Sequence, residues 1–273
     1  MNVVMSFAEV SVIVPCYRCA DTIDRAVASV YSQTLRPAEV ILVEDCSGDG
    51  TLEKLHDVKG RYAEGWIKVI PMQRNSGPGM ARNAGWYAAQ YPYIAFLDAD
   101  DAWHPQKIEI QCGWMAEHPE AVLTGHDCVQ IAEGDWESLG ARFLPEEAKV
   151  FPVSRLKMLL SNRLPTRSVM LRRDLQQRFA AGQCHSEDYL LWLEIICSGG
   201  AAYKIDLPLA YLFKAPYGEG GLSAQLWSMQ KGEVDTYRRV WRSGCVSFSA
   251  FLLLIGWSWV RFVRRVVLSW MRA

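Results

Sequence analysis

The sequence predicts an α/β fold, a doubly wound and mostly parallel sheet flanked by helices, followed by a C-terminal helical tail. Three observations predict it. Short β-branched runs alternate with helix-period segments over the first 100 residues, and the loops after those runs concentrate Asp, Glu, Gly and Arg. Charge is also segregated: from Thr236 onward there are seven arginines and no acid, against 22 basic and 30 acidic residues before it. Half of the 273 residues are apolar, enough to fill a core.

Residues 10–14 form an apolar, β-branched run stopped by Pro15, the pattern of a buried strand entering a loop. Asp21 or Thr22 can cap a helix whose Ile23, Val27 and Val30 face inward at i, i+4 and i+7. A second strand follows at 40–43, which makes a right-handed βαβ unit. A third strand is expected at 66–70, a helix from Gly77 to about Ala89, a fourth strand at 94–97 and a helix from near Pro105. Further on, 121–131 and 167–172 read as strands, and Glu187 and Asp188 open a helix with Leu190, Leu191 and Ile195 facing the core.

In such sheets ligands bind outside the carboxyl ends of the strands. Pro15 and Tyr17 leave the first strand, Glu44 and Asp45 the second, and Asp98, Asp100 and Asp101 the fourth. Three carboxylates in four positions repel one another unless a cation or donor groups neutralise them, and a set of oxygen ligands suits Mg²⁺ or Mn²⁺ better than zinc. A solvated acidic turn capping the next helix is the alternative. The segment 74–85 supplies backbone N–H groups at a helix start together with Arg74 and Arg82, a combination that favours an anion. It lacks the Gly-Lys-Ser/Thr of a P-loop, and no G-x-G-x-x-G follows the first strand, so a nucleoside triphosphatase and a nicotinamide enzyme both lose support.

Taken together, Ser11-Val-Ile-Val-Pro-Cys-Tyr17, Val43-Glu-Asp-Cys-Ser-Gly-Asp-Gly-Thr51, the Ala-Arg-Asn-Ala-Gly of 81–85 and Phe96-Leu-Asp-Ala-Asp-Asp101 resemble the successive motifs of the family 2 glycosyltransferases, with the GT-A fold. The resemblance spans roughly the first 110 residues. It implies nucleotide contacts at Pro15, Tyr17, Glu44 and Asp45, a nucleotide or phosphate contact at Arg82, the ribose at Asp98 and the metal, Mn²⁺ or Mg²⁺, at Asp100, while Arg74 and Gly77 join the nucleotide-binding set from the helix-start reading. Where this chain has Glu44 the family often has Asp. The pair Glu187-Asp188 matches the family's Glu-Asp motif, which implies that Asp188 is the catalytic base with Glu187 in support. His185 is a rival base because an unperturbed imidazole titrates near neutrality.

The expected reaction is an inverting transfer of one sugar from a nucleotide-diphosphate sugar, a UDP-sugar by family habit, to a saccharide or lipid-linked saccharide acceptor. The Gln-x-x-Arg-Trp motif of processive synthases is absent. A nucleotidyltransferase would need glycines after Pro15, and a non-catalytic sugar-nucleotide-binding scaffold is the other rival. Nucleic acid is not an expected partner, because the body is acidic and the tail arginines are interleaved with apolar residues. Lys214 to Ser223 carry enough Gly and Pro for a flap over the donor, and Lys231 reads as a solvated helix lysine.

The expected domains are a glycosyltransferase domain at 1–235, with a nucleotide half at about 8–110 and an acceptor half at about 111–235, and a basic, apolar tail at 236–273. Residues 243–260 are uncharged and would span about 27 Å as a helix, just short of a bilayer core of roughly 30 Å. Arginines flank both ends, and Ser258, Arg261, Arg265 and Arg272 share a stripe opposite Phe262, Val263, Val266 and Trp270. A helix lying on the membrane surface is the preferred reading. Packing on the domain, or a homo-oligomer through the tail, are the alternatives. Residues 1–9 lack the basic start of a secretory signal, and the eight irregularly spaced cysteines read as reduced thiols, which together suggest a cytoplasmic protein attached to the inner face of the membrane.

Overall fold

A computed structural model describes residues 7–132, 135, 148–213 and 225–270. The nucleotide half runs β1 (Ala8–Cys16), α1 (Ile23–Tyr31), β2 (Pro37–Glu44), α2 (Thr51–Gly60), β3 (Ile67–Pro71), α3 (Pro78–Ala88) and β4 (Tyr93–Phe96). Then come β5 (Ala102–Trp103), α4 (Lys107–Glu117), β6 (Ala121–Gln130), β7 (Val150–Pro152), α5 (Arg155–Leu160), β8 (Met170–Arg172), α6 (Glu187–Cys197) and β9 (Ala201–Leu212). Two helices, α7 (Leu226–Arg242) and α8 (Phe248–Trp270), close the described chain.

One sheet carries these strands in the order β3-β2-β1-β4-β8-β6-β9-β5, with β7 on β9. It is parallel through β3-β2-β1-β4 and mixed beyond, where β8 runs antiparallel to both β4 and β6. Side chains of β1 alternate between two cores, as a strand covered on both faces requires. Val12 and Val14 pack with Val27, Leu55 and Ile108 on one side, and Ile13 packs with Ala81, Trp86 and Leu191 on the other.

The parallel register brings the functional loops together. Cys16 pairs with Glu44 and Ile13 with Phe96, so the chains leaving β1, β2 and β4 emerge side by side. Helix α3 lies very close to the sheet at Gly85, where a Cβ would stand 2.5 Å from the Ile13 Cγ2 methyl.

Several expectations need correction. Thr22 is the residue before α1, but its hydroxyl donates to the Cys19 carbonyl instead of capping the helix. Residues 166–168 form a 3-10 turn, and only 170–172 are strand. Cys197 and Cys245 are not reduced thiols but form a disulfide, because the end of α6 and the turn after α7 bring their Cα atoms to 5.7 Å despite a separation of 48 residues. The 235/236 boundary falls inside α7. The flap expected at 214–223, and Arg272, lie outside the described residues.

The tail is a hairpin of α7 and α8, and among the described residues no helix is long and apolar enough to cross a membrane. Its polar stripe, expected to be the solvated side, is turned inward: Ser258 and Arg265 are buried, and Arg265 reaches Glu233 and Gln230 of α7. The reason is local, since α7 presents a carboxylate and an amide to that face, and the two terminal nitrogens of the buried guanidinium donate to them.

Candidate active site

Every described non-glycine residue with positive φ lies in a loop that builds this site: Arg18 after β1, Cys46 after β2 and Ser186 directly before α6. Such backbone conformations are uncommon outside glycine and persist only where surrounding contacts enforce them.

The contacts can be named for the first two loops. Asp45 N–H donates to the Cys16 carbonyl, and Arg18 N–H donates to Ser47 Oγ. Glu44 is buried and accepts from the N–H groups of Cys46 and Ser47, and Asp45 accepts from those of Ser76 and Gly77, both at 2.8 Å. These two carboxylates therefore staple the cleft's own backbone. Burial pushes Asp45 up, its two backbone donors pull it down, and Glu44 adds repulsion, with a raised value as the result. Gly77 takes a φ of 84° and a Cβ there would lie 3.1 Å from Cys184 Sγ, so glycine is what lets α3 start against the loop before α6. Tyr17 is exposed at the mouth, with the Arg18 guanidinium 5.3 Å from its ring centroid, and Arg74 is exposed at the start of the β3–α3 turn.

Behind the mouth sits a charge network. Arg82, buried in α3, donates from Nη2 to Asp98 Oδ1 at 2.8 Å and from Nη1 to Glu187 Oε1 at 2.9 Å, and so joins the loop after β4 to the start of α6. Arg167 Nη1 lies 2.8 Å from Asp101, and its Nε lies 3.7 Å from Asp98. Arg25 donates to the Asp100 carbonyl. Burial opposes ionisation of Asp98, but Arg82 and Arg167 outweigh it and hold the carboxyl below its ordinary value. For Asp101 burial wins: Arg167 offsets it only in part, Asp98 and Asp100 add repulsion, and the carboxyl is held well above the ordinary range. Glu187 is pushed up to about 7 by burial, against the pull of Arg82 and with added repulsion from Asp188.

Asp188 follows on α6. Its Oδ2 accepts from Asn162 Nδ2 and Thr166 Oγ1, each at 3.0 Å, and its Oδ1 accepts from Tyr189 N–H at 2.7 Å. These donors fix the orientation of the carboxylate, which a proton acceptor needs. His185 is two residues before α6, and burial lowers its value, so it is a weaker base than a solvated imidazole. Asn162, Thr166 and Arg167 are the residues that the sequence did not single out. Arg167 had a usable signal, a basic residue beside an expected strand end, whereas Asn162 and Thr166 had none.

For a divalent ion the protein offers few ligands. Among the described residues no group of three His, Cys, Asp or Glu side chains converges to hold a metal. Asp98 and Asp101 pair with arginines, and Asp100, partly exposed in the same loop, is a further hard-oxygen group there. One carboxylate with phosphate and water oxygens is a usual way to hold Mg²⁺, so these residues fit an ion that arrives with a diphosphate rather than a resident one.

The sequence model of Glycosyl transferase family 2 matches residues 11–179. The putative teichuronic acid biosynthesis glycosyltransferase TuaG of Bacillus subtilis is 30% identical over 235 residues, covering 85% of this chain and 88% of that protein. The Escherichia coli UDP-Glc:alpha-D-GlcNAc-diphosphoundecaprenol beta-1,3-glucosyltransferase WfaP is 31% identical over 248 residues, covering 90% and 82%. In fold the chain is similar to the mannosyltransferase PcManGT of Pyrobaculum calidifontis, solved with GDP-Man and Mn²⁺, at a TM-score of 0.68 and 18% identity over 98% of this chain and 76% of that one. With the motifs in order, the parallel half-sheet delivering them to one edge and the family match spanning most of that half, the chain belongs to glycosyl transferase family 2 and has its GT-A-type fold.

Proposed function

We propose that this glycosyltransferase moves a single sugar from a UDP-sugar to a lipid-linked saccharide, with inversion, in the assembly of a bacterial surface polysaccharide. The observation that carries the reading is Arg82, which fastens Asp98 of the nucleotide half to Glu187, the neighbour of Asp188. In this reading donor and acceptor chemistry share one wall of the site. The UDP-sugar and the diphospholipid acceptor are supported by the activity for which WfaP, a relative aligned over 90% of this chain, is named.

In this reading Pro15 and Tyr17 border the base, the loop stapled by Glu44 and Asp45 borders the nucleotide, and Asp98 meets the ribose. Arg74, exposed next to the Gly77 turn, is the arginine available to the diphosphate. Arg82 acts through Asp98 and Glu187 and not on a phosphate directly. Asp100 would hold Mg²⁺ or Mn²⁺, which when bound neutralises the diphosphate leaving group. Asp188 takes the proton of the acceptor hydroxyl as its oxygen bonds to the anomeric carbon from the face opposite the departing UDP, whose bond to that carbon breaks with its electron pair. Attachment to the inner face of the cell membrane follows from an acceptor of this kind.

The test is transfer from UDP-glucose to a GlcNAc-diphosphate lipid. Asp188→Asn is expected to lower turnover by about 10³-fold with UDP still bound, since a positioned base contributes roughly 10²–10⁴-fold. Asp100→Ala is expected to abolish transfer and donor hydrolysis. Normal transfer by Asp188→Asn would overturn the base assignment.

A further inference from the structure

A surface helix of a soluble domain turns its polar residues to water. Helix α8 does the opposite. Of the 17 large apolar side chains that stand exposed among the described residues, eight belong to this one helix. Leu252, Val260, Val263 and Val267, with Gly256 among them, recur at helical spacing on a single outward face, and Leu253 beside them is 76% exposed. The inward face sets Phe251, Leu254 and Ile255 on the core and also carries polar groups: Ser258 accepts from Gln230, and Arg265 and Arg261 converge on buried Glu233.

The same surface continues onto α5, whose Leu156 and Leu160 are exposed beside exposed Arg155 and Lys157. The two helices are fastened where Trp257 Nε1 and Arg261 Nη1 both donate to the Leu160 carbonyl. Trp227, Trp259 and Phe262 cluster at one end of the hairpin, the kind of aromatic group that settles at a membrane–water boundary.

Charge decides what covers this face. Of the seven basic side chains in 226–270, Arg261 and Arg265 turn inward onto Glu233 and Arg238 and Arg239 meet Asp235, which leaves exposed Lys231, Arg242 and Arg264, joined by Arg155 and Lys157 of α5, as the positive charge of this surface. A second copy pressed onto the face would meet the same positive charge, whereas an anionic headgroup layer complements it. We propose that the outward face of α8, with α5 beside it, is a docking surface for an anionic phospholipid bilayer, α8 lying in the plane of the interface with its valines and leucines among the acyl chains. Exposed Arg264 at the margin extends its head to the phosphates. This assignment rests on the lipid-linked acceptor proposed above and adds its direction of approach: Asn162, which holds Asp188, lies two residues beyond Leu160, so the base sits at the bilayer edge of the cleft.

The experiment is flotation of the full-length protein with vesicles of phosphatidylglycerol and phosphatidylethanolamine, set against vesicles of phosphatidylcholine alone. The protein is expected to float with the anionic vesicles, less so at high salt, and hardly at all with the neutral ones. The double variant Val260→Glu/Val263→Glu is expected to lose about tenfold in bound fraction, since charge on the inserted face opposes burial. Arg264→Glu is expected to lose less, with an unchanged melting temperature, and guards against misfolding of the double variant. Both should transfer sugar to a short-chain, water-soluble acceptor at the normal rate. Flotation of the double variant at the wild-type level, or a wild-type protein that never floats, overturns the proposal. So does a wild-type dimer in solution that Val260→Glu/Val263→Glu dissociates, since a second copy then covers the face. A protein that floats but transfers no sugar keeps the surface and sinks the glycosyltransferase reading instead.

Discussion

Two buried arginines in this molecule invite comparison. Arg265 in the tail hairpin meets Glu233 and Gln230, shares Glu233 with Arg261, and has Ser258 closing the seam. Arg82 in the cleft meets Asp98 and Glu187, with Asp100, Asp101 and Asp188 close by and Arg167 as the second cation. In the seam, two guanidiniums converge on one buried carboxylate, so cations are in excess. In the cleft the balance is reversed, with five carboxylates standing among the three guanidiniums of Arg82, Arg167 and Arg25. A small cation-rich seam serves packing, while an acid-rich network marks a site built to receive cations and protons.

The comparison can be broken most directly by removing each arginine. Arg82→Met leaves Asp98 and Glu187 buried without their cation, and loss of one partner of such a pair costs about 3–5 kcal/mol. For a chain of this size that is a fall in melting temperature on the order of 10 °C, with transfer lost as well. Arg265→Met is expected to cost far less, about 1 kcal/mol, because Glu233 keeps Arg261 and methionine fills the space. Equal falls in melting temperature for the two variants would erase the distinction.

Smaller effects sharpen it. Asn162→Ala removes one of the two side-chain donors on Asp188, and we expect turnover to fall about tenfold. KM should stay near its normal value, since Asn162 orients the base and does not hold the sugar donor. A loss of stability with kcat unchanged would make Asn162 a structural residue only. The mildest change concerns Glu187. Its value near 7 lies above the ordinary 4.5, so its contribution to stability is present below about pH 4.5 and is lost as pH rises through about 7. Glu187→Gln is therefore expected to flatten the decline of melting temperature between pH 5 and 8 by a few degrees, roughly the scale of 1 kcal/mol in a chain of this length.

The nucleotide half was legible in the sequence because local rules suffice there. The apolar run around Val12 and Ile13, the stop at Pro15 and the glycines around Gly77 and Gly85 each specify a strand, a loop or a helix without reference to distant residues. The acceptor half was less legible for the converse reason. Strand β9 contains Pro208 and lies between β6 and β5, so only its neighbours make it a strand. Asn162 and Thr166 gain meaning only from the α6 carboxylate more than 20 residues away. The inward turn of Ser258 and Arg265 depends on Gln230 and Glu233, which belong to another helix, and a helical wheel shows which residues share a face but not which face is covered.

Gly85 deserves the last consideration. It offers no chemistry, yet the Ile13 methyl it touches sets how deep α3 sits, and Arg82 is one turn earlier on the same helix. A methyl group added there would act as a shim under a lever, lifting the helix and carrying the guanidinium away from both Asp98 and Glu187. The tolerance of this enzyme to change is thus set partly by a contact between two residues that never meet a substrate, and a mutational scan for lost transfer should flag Gly85 along with the carboxylates.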